Sequence, residues 1–202
     1  MNESLKDTLA DLIEQSWQQL GRGGADAKDA YHTPTFITMD AEGYPAARTV
    51  ILRQVIRSER VLLCHSDKRA AKVAQLQRNP RSVWHLWHPK RRLQLRLQGE
   101  AMVHHDDALA HEEWKRLGDS SRLNYSPTRT PGEAVDTRAT AQAAYTTHDQ
   151  LAQVDTDAWR ANFCVIRSQV HAFEYLMLSR EGHRRARFAW QGDHWEGTWL
   201  VP

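Results

Sequence analysis

Leu5, Leu9, Leu12, Ile13, Trp17 and Leu20 recur at three- and four-residue spacing through "ESLKDTLADLIEQSWQQL", an apolar stripe that predicts a first helix. Gly21, opening "GRGG", is the expected stop. The pattern then shortens to a period of two. Residues 35–39, 47–55 and 60–65 read as strands, with "AEG" and "RSE" as the turns between them. The middle one is apolar on both faces around "TVIL", which predicts a central strand covered twice. A short helix is expected over 68–78, with Val73 and Leu76 inward and Asn79–Pro80 ending it. "SVWHLWH" and "RLQLRLQGEAMVHH" follow as strands, and the second alternates cleanly: Leu93, Leu95 and Leu97 on one face, Arg92, Gln94, Arg96 and Gln98 on the other.

Residues 106–117 read as a helix, 118–135 as a polar loop with two prolines, and "TRATAQAAYTTHDQLAQV" as weakly helical. "NFCVIRSQVHAFEYLML" and "RRARFAWQGDHWEGTWLV" return to strands, the latter a hairpin turning at Gly192–Asp193. Six to eight strands on short turns, with few helices, predict a mainly β protein with flanking helices. Its antiparallel strands favour a closed or partly closed barrel over a doubly wound sheet. No repeat or internal boundary stands out. Residues 1–24 are expected to form a helix packed on one barrel domain, 25–202, which carries a loop and helical insertion at about 106–150.

Composition removes several function classes. The 202 residues carry a formal net charge of +2, so no global basic field argues for nucleic acid. "HPKRRLQLR" is basic, but its alternation is that of a strand with one solvated face. No apolar run approaches the roughly 18 residues of a membrane span, and "MNESLKDTLADL" is not a signal peptide. Cys64 and Cys164 sit in apolar runs, as packed thiols of a reducing, cytoplasmic setting do. Eleven histidines form no recognised metal spacing, and no G-x-S-x-G elbow, Walker lysine or Rossmann glycine pattern is present. Eight tryptophans imply that some line a cleft or interface.

What chemistry remains lies in donors at strand-associated places. Arg48 opens the middle strand, Ser66 and Lys72 flank the strand-to-helix junction "HSDKRAAKVAQL", and Gln94 lies mid-strand on a polar face. If the strands are neighbours, these donors converge on one anion, with phosphate the natural candidate. Arg48 and Arg53 stand five apart, so a regular strand points them to opposite faces. They share a ligand only if the strand bulges or the ligand wraps its edge.

The order "ARTVILR", "HSDKRAAKVAQLQRNPRSVWHLW", "RLQLRLQGEA" and the terminal "HRRARFAW…HWEGTWLVP" resembles the pyridoxamine 5′-phosphate oxidase-like flavoproteins, over most of residues 35–202. The resemblance implies an FMN-binding split β-barrel, a homodimer with flavin sites at the subunit interface, and a small-molecule substrate. Position by position, it implies that Arg48 and Lys72 hold the FMN phosphate with Ser66, and that Thr49, Val50, Ile51 and Arg53 run along the flavin. His65 stands where the family has an aromatic. Gln94 would reach the ring, and Arg187 would contact flavin from the other subunit. Arg185 and Arg116 are the substrate-side candidates. The vitamin-B6 oxidase itself has an arginine–leucine–histidine triplet where this chain reads "HRRAR", and a tyrosine ahead of the arginine near "EEWKRLGDSSRLNY" that is missing here. These departures point to a relative of undefined substrate. An FMN-dependent oxidoreductase working by hydride transfer is the expectation, with no protein acid or base required. A non-catalytic FMN or haem carrier or sensor on the same fold stays open.

Overall fold

Thr8 starts the first helix with a reciprocal cap: its hydroxyl accepts from the Asp11 N–H at 3.2 Å, and the Asp11 carboxylate accepts from the Thr8 N–H at 2.8 Å. The computed structural model describes residues 7–202. Leu5, the first member of the apolar stripe, lies outside them. Helix α1 (Leu9–Ala25) buries Leu12, Trp17 and Leu20 against the barrel, and Trp17 meets Trp195 at 6.2 Å. Gly21 does not end it. The helix continues through all three glycines because Gly23 lets the chain fold back at contact distance: a Cβ there would lie 2.7 Å from Tyr31 Cβ.

Among the described residues, nine strands follow the element order read from the pattern. They are β1 (Thr35–Met39), β2 (Pro45–Thr49), β3 (Gln54–Ile56), β4 (Val61–Asp67), β5 (Arg81–His88), β6 (Leu93–His104), β7 (Phe163–Met177), β8 (Arg184–Trp190) and β9 (Trp195–Leu200). All pairings are antiparallel, in the order β2-β1-β5-β6-β7-β4-β3. Because β2 and β3 are successive pieces of one extended stretch, this path returns on itself as a barrel. The β8–β9 hairpin extends it from the second half of β7.

The strand expected at 47–55 is therefore two strands, and it is not covered on both faces. β2 alternates between exposed and half-buried. Between them the chain leaves its ladder: the N–H groups of Val50 and Leu52 bond Pro34 O and His32 O, and that of Arg53 bonds Leu63 O on the opposite neighbour. The apolar run "TVIL" thus serves a crossing from one partner strand to another, a role that periodicity does not distinguish from a central strand.

Inside the barrel, Phe36, Leu62, Cys64, Trp84, Leu86, Leu93, Leu95, Leu97, Phe173, Tyr175 and Phe188 form one core. β6 keeps its predicted alternation as far as Gln98. There the register with β7 shifts, and Gly99 approaches so closely that a Cβ would sit 1.9 Å from Gln169 O. A second cluster covers the outer face of β4 and the start of β7. Val61, Leu63, Phe163 and Val165 pack there beneath α3 (Ala108–Lys115), through Ala110 and Trp114, and beneath Tyr125. The expected loop 118–135 holds α4 (Asp119–Arg122) and a 3-10 turn, Leu123–Tyr125, and the weakly helical stretch contains a short α-helix, Arg138–Ala143, and a 3-10 helix, His148–Gln153. The remaining helix, α2 (Ala71–Arg78), turns Val73 and Leu76 inward as expected.

Candidate functional site

Where residues 49–53 swing away from β4, the barrel wall opens into a cavity of ≈ 280 Å³. Thr49, Val50, Ile51 and Arg53 line one side, and His65, Ser66 and Lys72 the other. The interruption settles the parity problem of Arg48 and Arg53. Arg48 ends β2 turned toward α2, and Arg53 follows the crossing and faces the cavity.

Three cations gather here, and none pairs with a carboxylate among the described residues. Lys72 Nζ donates to Ser66 Oγ at 2.9 Å, and burial holds the ammonium below the usual lysine range. Arg48 is also lowered by burial. Its guanidinium donates to Phe36 O (3.2 Å), Thr38 Oγ1 (2.7 Å) and Gln75 Oε1 (3.0 Å), all neutral acceptors. It does not line the cavity itself, but Gln75 lies one turn beyond Lys72 on α2, and the Arg48 charge further lowers Lys72. The Arg53 side chain makes no hydrogen bond among the described residues, and its Nε is buried without a partner. Asp67, the one carboxylate at the cavity, is taken by Arg69 at 2.7 Å. Buried charge without a counter-charge is costly, and an anion in the cavity would offset that cost.

His65 adds a different element. Its Nε2 lies 3.1 Å from the Glu113 carboxylate, yet burial, and then the Arg53 charge, push the imidazole down to about 4. The short contact therefore joins a neutral imidazole, with Nε2–H donating, to a carboxylate that Arg116 also holds at 2.5 Å. Arg116, a substrate-side candidate, is spent on this pair on the outside of α3 and does not line the cavity. Cys64, just inside, is pushed up to about 12 by burial and stays a thiol.

Gln94, Arg185 and Arg187 lie elsewhere, on the open outer face of β5–β9. Gln94 Oε1 is 3.0 Å from His85 Nε2. The register places Arg96, Glu174 and Arg187 in one row across β6, β7 and β8. Buried Glu174 binds both Arg96 and Arg185 at 2.9 Å, and Arg187 stays exposed. Trp87, 40% exposed, stands on this face opposite Gln94. A larger hollow of ≈ 570 Å³ is lined here by Ile37, Val83, Gln98 and Ala172. It is roomier than the cavity at the crossing but gathers no comparable set of unpaired cations. The chemistry therefore favours the smaller one.

Three lining residues escaped the reading of the sequence: Asp67, Asn124 and Tyr125. The signal for the last was present. Leu123 and Tyr125 are two buried apolar positions inside an otherwise polar stretch. Among the described residues no trio of His, Cys, Asp or Glu is grouped to hold a metal, and no helix is long and apolar enough to cross a membrane.

Residues 9–105 match the family model for the pyridoxamine 5′-phosphate oxidase FMN-binding domain. Among solved structures, a pyridoxamine 5′-phosphate oxidase-related FMN-binding protein from Nostoc punctiforme is similar at 22% identity. The match covers 97% of this chain and all of that one, with a TM-score of 0.73. PhzG from Burkholderia lata, solved with tetrahydrophenazine-1-carboxylic acid, is 14% identical over 100% of this chain and 98% of its own, with a TM-score of 0.74. No curated protein sequence matches significantly. The matched domain, just under half of the chain, spans the crossing, the junction and all of β6, and together with the shared fold it supports a member of the pyridoxamine 5′-phosphate oxidase-like family.

Proposed function

We propose that the protein binds FMN at the barrel's opening and acts as an FMN-dependent oxidoreductase on a small molecule, as a homodimer. The observation that carries this reading is a set of cations without a carboxylate partner among the described residues: Arg53 and Lys72 in the cavity wall, and Arg48 behind it against Gln75 of α2. The donor set fits the group. Lys72, Ser66 and Arg48 offer ammonium, hydroxyl and guanidinium to a phosphate, and the N-terminal turn of α2 adds its positive end. Arg53, with a buried Nε awaiting an acceptor, and the segment 49–51 offer a second polar end for the rest of the ligand. Bound FMN would supply hydride transfer at its ring. The chain would orient it, shield it from water and keep the neighbouring His65 neutral.

Gln94 and Arg187 serve the same flavin only if a second copy brings its open sheet face to this cavity. The exposed Trp87 supports that packing. Arg185 meets a substrate anion there only by sharing Glu174.

The test is an absorbance spectrum of the purified protein before and after addition of FMN and desalting. A retained flavin spectrum, bleached under anaerobic conditions by a reductant such as pyridoxamine phosphate or a reduced nicotinamide, is the expected result. A colourless protein that keeps no FMN overturns the reading.

A further inference from the structure

The cavity has two poles. Lys72, bonded to Ser66 and lowered further by the Arg48 charge behind it, marks one. At the other, the Arg53 charge acts on both His65 and Tyr125. Tyr125 comes from the helical insertion, beyond the residues that the family model matches. It is only 6% exposed, and its ring is clamped by Phe163 at 5.0 Å and Trp114 at 5.8 Å. Asn162 Nδ2 donates to Tyr125 O at 2.9 Å and fixes the backbone. The phenol hydroxyl makes no hydrogen bond among the described residues, yet it is not sealed in the core, because the residue forms part of the cavity wall. A phenol whose ring is packed and whose hydroxyl has no protein partner at a cavity is held in place to donate to whatever ligand enters there.

The second pole holds one guanidinium and one phenol, both donors. Its histidine has its Nε2–H committed to Glu113. It presents no free carboxylate. With one full charge rather than two, it suits a carbonyl oxygen better than a phosphate dianion. We propose that Tyr125 is a ligand-contacting residue, which with Arg53 forms a carbonyl-recognising end of the cavity and donates a hydrogen bond to a carbonyl oxygen of the flavin ring. Burial raises the phenol above its ordinary range, so the proton it donates is in place at neutral pH.

This inference rests on the flavin reading, and three probes separate the two. Wild type and Tyr125→Phe, which keeps the ring contacts, are titrated with FMN, with riboflavin, and with inorganic phosphate as a competitor of FMN. Tyr125→Phe should lose about fivefold in affinity for FMN and for riboflavin alike, the worth of one neutral hydrogen bond, with phosphate competition unchanged. The infrared carbonyl stretch of the bound flavin should move to higher frequency in the variant, as it does when a donor is withdrawn. Unchanged flavin affinity with an unmoved carbonyl band overturns the role of Tyr125 while leaving the FMN site standing. Wild-type protein that binds phosphate but neither flavin overturns the flavin reading, and this inference with it.

Discussion

Replacing Lys72 by methionine should move two measurements in opposite directions. In the free protein the ammonium is largely buried, bonded to one neutral hydroxyl at 2.9 Å, and faced by Arg48 with no carboxylate partner among the described residues. Such a charge costs desolvation energy with little returned, so an apolar side chain of similar length should leave stability unchanged or raise it by up to about 1 kcal/mol. With a phosphate in the cavity, the same ammonium makes a charge-assisted hydrogen bond worth about 1.5–3 kcal/mol, a loss of roughly 10- to 150-fold in FMN affinity when it is removed. Riboflavin has no phosphate, so its affinity should not change. The assays are denaturant unfolding of the flavin-free protein and fluorescence titration with both ligands. Equal losses for FMN and riboflavin, or a fall in stability of more than about 2 kcal/mol, would show that Lys72 is a structural residue rather than part of an anion site.

Two further perturbations test the frame. Gly99→Ala puts a Cβ 1.9 Å from Gln169 O, in backbone that two neighbours hold, and should cost about 3 kcal/mol in chemical denaturation; a loss under about 1 kcal/mol would mean the β6–β7 bulge relaxes freely. His65 titrates near 4 when folded against an ordinary 6.5, so between those values the unfolded chain binds the extra proton and native stability falls as the solution is acidified. The stability difference between wild type and His65→Phe should therefore depend on pH across that window and flatten above it. A difference that stays constant from pH 4 to 7 would show that His65 titrates normally.

The alternation of Leu93, Leu95 and Leu97 with Gln94, Arg96 and Gln98 survives folding intact, because a strand with one buried face has no other way to place its side chains. The same local logic set the element order, the antiparallel class and the donors on the junction between β4 and α2. The sequence also marked Arg53 and Lys72 as charges worth following. It did not tell that 47–55 would break, since apolar residues crossing between two partners read the same as apolar residues in a central strand. It ended α1 too early, since only contact with Tyr31 explains glycines within a helix. Three features depend on neighbours in space rather than on local pattern: the lack of a carboxylate partner for Arg48, Arg53 and Lys72 among the described residues, with Asp67 taken by Arg69, the reach of Tyr125 from the insertion to the cavity wall, and the diversion of Arg185 to Glu174. Whether a charge is paired is a property of its neighbours in space. Local sequence supplies the charges, and only the closed barrel and the layer packed on it decide which of them are left for a ligand.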